Sequence, residues 1–242
     1  YKFFYINYLV ENEKYQEAEN IIDQLDYLNS SLLLHQAKKW VKDKKLYKFS
    51  DLFSCKNEKD ILSEFFFLIA SLYSSQNDID KSNFYLSISS YLNPKFKFNL
   101  SLLVENYFEN KNYKKSEIVL KNFQNKDEIY YWFKIKKEAQ IIYKQSNKED
   151  SFNFINSKFQ KIKEPSAKIL YDFANISKNF EKYEIAIKYY DKLILKKGLK
   201  KDAYADLLYR RGSCYERLGN YKKADKDLLK SLTMSPDDAY VL

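Results

Sequence analysis

The sequence predicts an all-α fold, a superhelix built from about seven helix–turn–helix repeats. The first observation behind this prediction is a small or apolar residue followed twelve positions later by another, six times along the chain. The pairs are Ile6 with Ala18, Ala70 with Ser82, Val104 with Ser116, Ala139 with Ser151, Ala174 with Ala186, and Gly212 with Ala224. The second observation is that the first members, from Ala70 onward, are 34, 35, 35 and 38 residues apart. Such a period is typical of stacked helix pairs.

The spacing of twelve has a physical reason. Two antiparallel helices approach closely only where each contributes a small side chain, because the larger neighbours then interlock around the crossing. About a turn and a half of the first helix, a short loop and the first turn of the second helix fit between the two small positions. Each pair therefore predicts a first helix, a turn and a second helix, in that order.

Projecting this register along the chain divides it into one array of repeats. The predicted repeats are 1–29, 30–62, 63–96, 97–131, 132–166, 167–204 and 205–238, and 239–242 would start a further one. The first helix is about half the length of the others, and terminal repeats need polar capping helices. We therefore expect the chain to be a fragment of a longer array.

Proline and glycine supply the third observation, because both terminate helices. Pro94, Gly198 and Pro236 each follow the second member of a pair by twelve residues. Pro165 follows its pair by fourteen, and each of the four is predicted to end a second helix. Turns from first to second helices are predicted at Asn77–Asp78, Lys111–Asn112 and Gly219–Asn220.

Two places depart from the register. Twelve residues after Ala37 stands Phe49, which is bulky for a crossing, and Ser50 would fit only with one extra residue in the turn. The repeat 30–62 is therefore predicted to be irregular. The longest step, 38 residues, predicts about four inserted residues near Lys197 to Lys201, in a longer loop between repeats.

The residues around the crossing positions resemble the tetratricopeptide repeat (TPR), whose pattern is W-x2-L-G-x2-Y, then A-x3-F, then P. The clearest copy consists of Leu208, Arg211, Gly212, Tyr215, Ala224, Leu228 and Pro236. Arg211 departs from the pattern, which has an apolar residue there. The resemblance implies a right-handed solenoid of TPR-like repeats whose first helices line a concave, partner-binding face.

Composition limits the classes of function. The chain has 242 residues, 45% of them hydrophobic, which predicts a folded, soluble protein. The formal net charge is +9, but only three basic residues are arginine and the composition is rich in Lys, Asn, Ile and Tyr, so the charge argues only weakly for nucleic acid. No apolar run is long enough to span a membrane. The compartment stays open: cytoplasmic or, given an upstream signal peptide, periplasmic or secreted.

The sequence offers no catalytic constellation. His35 is the one histidine, in the middle of a predicted helix, and is read as a packing or surface residue. Cys55 and Cys214 are too far apart in sequence for a redox or zinc motif, and no disulfide is predicted. Gly212 and Gly219 do not form a phosphate-binding loop. We therefore predict no enzyme activity, no metal and no cofactor.

The predicted function is a scaffold that binds a protein or peptide in the concave groove. Positions three before, one after and four to five after a crossing residue share one helix face. In the last three repeats this face contains Lys136, Gln140, Tyr143, Lys144, Tyr171, Asn175, Lys178, Tyr209, Ser213 and Arg217. One TPR subclass grips a terminal carboxylate, and Lys136, Gln140 and Arg210 occupy comparable places here. Asp172 and Asp206 stand where that clamp needs an amide and a cation, which argues against it.

Two alternative functions remain beside that of a protein-binding scaffold. Helical repeats of similar length bind single-stranded RNA, and such binding weakens steeply with salt. The array could also be a helical accessory domain of an enzyme whose catalytic part lies outside this chain. The identity of the partner and the oligomeric state are not specified by the sequence.

Overall fold

A computed structural model describes residues 2–25, 28, 30–123, 128–196 and 198–235. Every regular element in these ranges is an α-helix, and no strand occurs in them. The helices are α1 Lys2–Glu11, α2 Tyr15–Gln24, α3 Leu32–Lys42, α4 Tyr47–Leu52, α5 Glu58–Ser75, α6 Ile79–Leu92, α7 Phe98–Glu109, α8 Tyr113–Leu120, α9 Glu128–Gln145, α10 Lys148–Phe159, α11 Ala167–Asn179, α12 Tyr183–Ile194, α13 Lys201–Arg217 and α14 Tyr221–Met234. The all-α prediction is confirmed, whereas the number of repeats stays a prediction. None of these helices is long and apolar enough to cross a membrane.

The chain divides into two compact units. Unit 1 contains residues 1–25 and 30–141, and unit 2 contains residues 26–29 and 142–242. In unit 1, α1 packs against α2, α3 and α4, while α5, α6, α7 and α8 pack in succession. In unit 2, α11 to α14 also pack in chain order. Nearest-neighbour packing of this kind is what a repeat array requires.

Aromatic side chains fill the interior of each unit. In unit 1, Phe49 lies against Trp40 and Phe3, with ring centroids 5.1 and 6.0 Å apart. In unit 2, Phe159 stacks on Phe173 at 3.8 Å. Such rings bury large apolar areas, and burial of this kind is the main stabilising contribution to a fold.

The predicted crossing residues lie where the helices of a pair meet. Ser82 Oγ donates a hydrogen bond of 2.8 Å to the carbonyl oxygen of Ala70. Ser116 Oγ donates one of 3.3 Å to the carbonyl oxygen of Val104. At Gly212, a Cβ atom would lie 3.0 Å from the side chain of Leu228, so any side chain there would force Leu228 to shift.

Six of the turns between paired helices share one geometry, whereas the α9–α10 turn has no positive φ at Ser146. In these six turns the residue seven after the crossing position has a positive φ, and the next amide donates to the carbonyl five residues earlier, which is a Schellman cap. Asn77, Lys111 and Gly219 have φ of 61°, 58° and 73°, at the three turns that the sequence predicts. The same left-handed residue occurs at Glu13, Lys44 and Glu181. The corresponding amide bonds from residues 14, 45, 78, 112, 182 and 220 are 2.8–2.9 Å long.

Replacing Lys111 with glycine is expected to raise the free energy of unfolding by about 0.5–1 kcal/mol. A side chain in the left-handed region costs about 1–2 kcal/mol, partly offset by the greater backbone freedom of glycine in the unfolded chain. Asn110, one residue earlier, has φ −77° and is the matched control. Urea denaturation should show Lys111→Gly as stabilising and Asn110→Gly as neutral or destabilising. The reverse order would contradict the cap.

The helix pair α3 and α4 corrects one prediction about the crossing position. Lys44 has the same left-handed conformation as Asn77 and Lys111 in their turns, so no extra residue is inserted there. Phe49, not Ser50, therefore occupies the crossing position; Phe49 is buried and Ser50 is exposed. The Phe49 ring packs against Trp40 and Phe3, and α4 has only six residues before it ends in extended Phe53. The predicted irregularity thus lies in the short helix.

The remaining differences between the predicted and the observed structure concern the positions of helix ends. Helix α10 ends at Phe159, well before Pro165, and α12 ends at Ile194, before Gly198, so both residues lie in connections. Pro94 directly follows the cap of α6, as predicted. The insertion predicted near 197–201 is not a longer loop, because α13 already begins at Lys201 and extends the helix at its start. Pro236 and 239–242 lie outside the described residues.

Helices α5, α9 and α13 begin at Glu58, Glu128 and Lys201. Their first turns therefore fall within the segments that the sequence assigns to the preceding repeats. At α5 the start is fixed by Asn57, whose side chain accepts hydrogen bonds from the amides of Lys59 and Asp60. Such a cap satisfies backbone donors that the helix itself leaves unpaired.

Candidate functional site

In unit 2, α11 and α13 present one continuous polar face. Tyr171, Asn175 and Lys178 follow each other at spacings of four and three on α11, as neighbours on one side of a helix do. On α13, Asp206, Tyr209, Arg210, Ser213 and Arg217 share a side in the same way. We call these eight residues the α11/α13 face.

A hydrogen-bond network joins the two helices at the base of this face. The hydroxyl of Tyr171 donates to Asp206 Oδ2 at 2.7 Å. Arg210 Nε donates to both carboxylate oxygens of Asp206 at 2.9 Å, and its guanidinium lies 5.3 Å from the centre of the Tyr171 ring. Asn175 Oδ1 accepts from the hydroxyl of Tyr190 at 2.6 Å and from Arg210 Nη1 at 3.3 Å. The network holds the face in a fixed geometry.

Two further cations of the face are not neutralised in this way. Lys178 Nζ lies over the ring of Tyr209, 5.6 Å from its centre. Lys178 is half-buried, and burial lowers the pKa of its amine, with the charges of Arg210 and Arg217 acting in the same direction. Arg217 is exposed on the next turn of α13 after Ser213. An anion near Lys178 and Arg217 would therefore be favoured.

The structure distributes the ten predicted site residues between two units. It brings Asn175, Lys178, Tyr209, Ser213 and Arg217 together on α11 and α13. Tyr171 belongs to the same helices, but its side chain is only 2% exposed, so it supports the face from within. Asp206 and Arg210 are not among the ten predicted site residues, although their spacing of four on a helix is typical of an ion pair.

The other four predicted residues lie on α9. Lys136 and Gln140 belong to unit 1, where Lys136 is half-buried and Gln140 is exposed. Tyr143 and Lys144 belong to unit 2 and are exposed. The ring of Tyr143 makes an edge contact with Phe180, at 6.1 Å between centroids. This contact fixes one side of the Tyr143 ring and leaves the other to solvent.

Unit 1 contains a groove that the sequence analysis did not select. Its volume is about 440 Å³, and α1, α3, α5 and α7 contribute to its walls. The lining residues are Lys2, Phe3, Phe4, Ser31, Leu33, Leu34, Phe67, Leu68, Ser71 and Phe98. Phe3, Leu34 and Phe67 stand three residues before Ile6, Ala37 and Ala70, so the spacing rule used for the last three repeats also identifies this groove.

Both cysteine thiols have raised pKa values. Burial raises the pKa of the Cys214 thiol to about 11, and burial together with Glu11 and Glu64 does the same for Cys55. Both thiols therefore stay protonated near neutral pH. His35 is buried in α3. Within the part of the chain that the structure describes, no three His, Cys, Asp or Glu residues cluster as a metal site would need.

A comparison with known protein families matches one segment of the chain. Residues 205–238 match a family model described as tetratricopeptide repeat. The structure of YrrB, described as a TPR protein with an unusual peptide-binding site, is similar, with a TM-score of 0.44 and 15% identity over 77% of this chain and 92% of that one. A chain in the crystal structure of the APC/C hetero-tetramer Cut9-Hcn1 is also similar, with a TM-score of 0.48 and 14% identity. The match covers 99% of this chain and 55% of that chain. No curated protein matches the sequence.

Proposed function

We propose that this chain, which carries a tetratricopeptide repeat at residues 205–238, is a non-catalytic scaffold whose α11/α13 face binds an acidic segment of a protein partner. The observation that supports this most directly is Lys178. Its amine is half-buried, yet it makes no ion pair with any described residue. Removing a charge from water without pairing it is costly, and a carboxylate from a partner would compensate that cost.

The rest of the face suits an extended peptide. Arg217 adds a second positive charge, while Tyr209 offers a flat, partly apolar surface beside Lys178. Arg210 is already committed to Asp206, so it holds the face in place and leaves carboxylate binding to Lys178 and Arg217. Tyrosine beside cations is a common composition for peptide-binding surfaces, because the ring contributes contact area with few rotamers to fix.

Neutralising Lys178 and Arg217 is expected to weaken the binding of an acidic peptide about tenfold or more. The probe is a fluorescent peptide of alternating glutamate and glycine with one central phenylalanine, and the measurement is fluorescence anisotropy with the whole chain. The variant is Lys178→Gln with Arg217→Gln. The matched control is Lys222→Gln with Lys226→Gln, which removes the same charge from exposed positions of α14.

Equal losses in the two double variants would mean that the peptide senses net charge alone, and the proposed face would be rejected. The RNA alternative is checked with a labelled pool of mixed single-stranded RNA. Tight, strongly salt-dependent RNA binding that Lys178→Gln with Arg217→Gln abolishes would replace the acidic peptide by RNA as the ligand of this face.

A further inference from the structure

Helix α5 in unit 1 carries a row of exposed apolar side chains. Ile61, Phe65, Leu68 and Leu72 are 46, 55, 45 and 57% exposed. They are spaced by four, three and four residues, so they form one stripe along the helix. We call these four residues the α5 stripe. Leu62, 48% exposed, widens it at the start of the helix.

The α5 stripe differs from the rest of the described surface. No other described helix exposes more than two large apolar side chains, whereas α5 exposes five. The opposite side of α5 is occupied by packing against α6 and α7. Leu68 also lines the 440 Å³ groove, so the stripe adjoins the groove, whose walls are mainly apolar. Contiguous exposed apolar surface of this kind marks an interaction site.

Two carboxylates border the stripe. Glu64 stands three residues after Ile61 and four before Leu68, and Glu58 stands three before Ile61. Glu64 is half-buried and makes no hydrogen bond or ion pair with a described residue, and burial raises the pKa of its carboxyl group. Lys59 stands nine residues before Leu68, which places it on the opposite side of α5. On α5 itself the border of the stripe is therefore acidic, whereas Lys2 of α1 lines the adjoining groove.

We propose that the α5 stripe, together with the adjoining groove, docks an amphipathic helix of a partner protein that carries basic residues beside its apolar side. The spacing of four, three and four matches the apolar repeat of a helix, so a second helix can pack its own apolar row along it. A lysine or arginine of that helix would pair with Glu64 and Glu58. This surface is separate from the α11/α13 face and does not depend on it.

Charge distinguishes this occupant from a second copy of the chain. A second α5 would bring the same two carboxylates and no cation on that side. Glu64 would then stay unpaired in a more deeply buried setting, which is unfavourable. A basic helix removes this problem because its cations neutralise the carboxylates at the border of the apolar contact.

The test uses two labelled peptides of about 18 residues, or five helical turns. Both carry leucine in the apolar row, and the remaining positions are mainly lysine in one peptide and glutamate in the other. Anisotropy titrations with the full chain should show the lysine peptide binding through α5. Phe65→Glu and Leu72→Glu should each weaken it about tenfold or more, because each places a charge in the apolar contact.

Matched variants separate the surface from general effects. Phe84→Glu changes an exposed phenylalanine of α6 outside the stripe and should leave the affinity of the lysine peptide unchanged. Glu64→Gln keeps the side-chain shape and should weaken the lysine peptide without affecting the fold, as judged by circular dichroism. Lys178→Gln with Arg217→Gln should leave the lysine peptide unaffected, so failure of this proposal and failure of the α11/α13 face can be told apart.

Several results would overturn the proposal. One is a lysine peptide that binds no better than a sequence-scrambled peptide of the same composition. Another is an equal loss in Phe65→Glu and Phe84→Glu. A third is a concentration-dependent dimer, seen by analytical ultracentrifugation, that Phe65→Glu dissociates, because the stripe would then be occupied by a second copy.

Discussion

Replacing Arg211 with alanine is expected to lower the free energy of unfolding by about 3–5 kcal/mol, as removal of one partner from a buried ion pair does. Arg211 Nε and Nη2 donate to the two carboxylate oxygens of Asp227 at 2.6 and 2.7 Å, and Nη1 donates to Asp191 at 2.6 Å. Asp227 is only 4% exposed. Without Arg211, its carboxylate would be buried and unpaired, and the link between α12, α13 and α14 would be lost.

The measurement is chemical denaturation followed by circular dichroism. Arg217→Ala is the control, because Arg217 lies on the same helix but is exposed, and its effect should stay within about 0.5 kcal/mol. Adding Asp227→Asn to Arg211→Ala should recover part of the loss, since the buried group is then uncharged. If Arg211→Ala were as stable as Arg217→Ala, the buried pair would contribute nothing to the fold.

Arg211 shows what the sequence could and could not predict. The TPR pattern identifies its position as an apolar one, and the crossing residue beside it, Gly212, was predicted correctly. The ion pair could not be predicted because Asp227 and Asp191 are 16 and 20 residues away, on other helices. Periodicity determines which helices meet, whereas the choice of a buried charge depends on side chains that meet only after folding.

The same distinction applies to the surfaces. Helical spacing placed Asn175, Lys178 and Tyr209 on one face, because spacing alone decides which side of a helix a residue occupies. It did not predict that Tyr171 is buried, since this depends on the hydrogen bond that its hydroxyl donates to Asp206 on α13. The structure exposes Phe65 and Leu68 because only one side of α5 packs against α6 and α7.

The two proposed binding surfaces would take partners of opposite charge. The formal net charge of +9 alone would suggest only acidic partners. At closer range, two half-buried groups that make no ion pair with a described residue differ in sign: an amine at Lys178 in unit 2 and a carboxylate at Glu64 in unit 1. A scaffold with two such surfaces would distinguish its ligands by local charge and shape rather than by overall electrostatic attraction.

The crossing positions themselves are expected to tolerate changes only within a narrow range of volume. Ala174 and Ala186 are completely buried where α11 and α12 meet, so Ala174→Leu should lower the free energy of unfolding by about 1–3 kcal/mol through overpacking. Ala186→Ser should cost less, because a serine there can donate to the carbonyl of Ala174 as Ser82 does to Ala70. Denaturation of both variants, with exposed Asn179→Leu as control, tests the register. An Ala174→Leu chain as stable as Asn179→Leu would show that small residues at this crossing are incidental to the packing of the repeat.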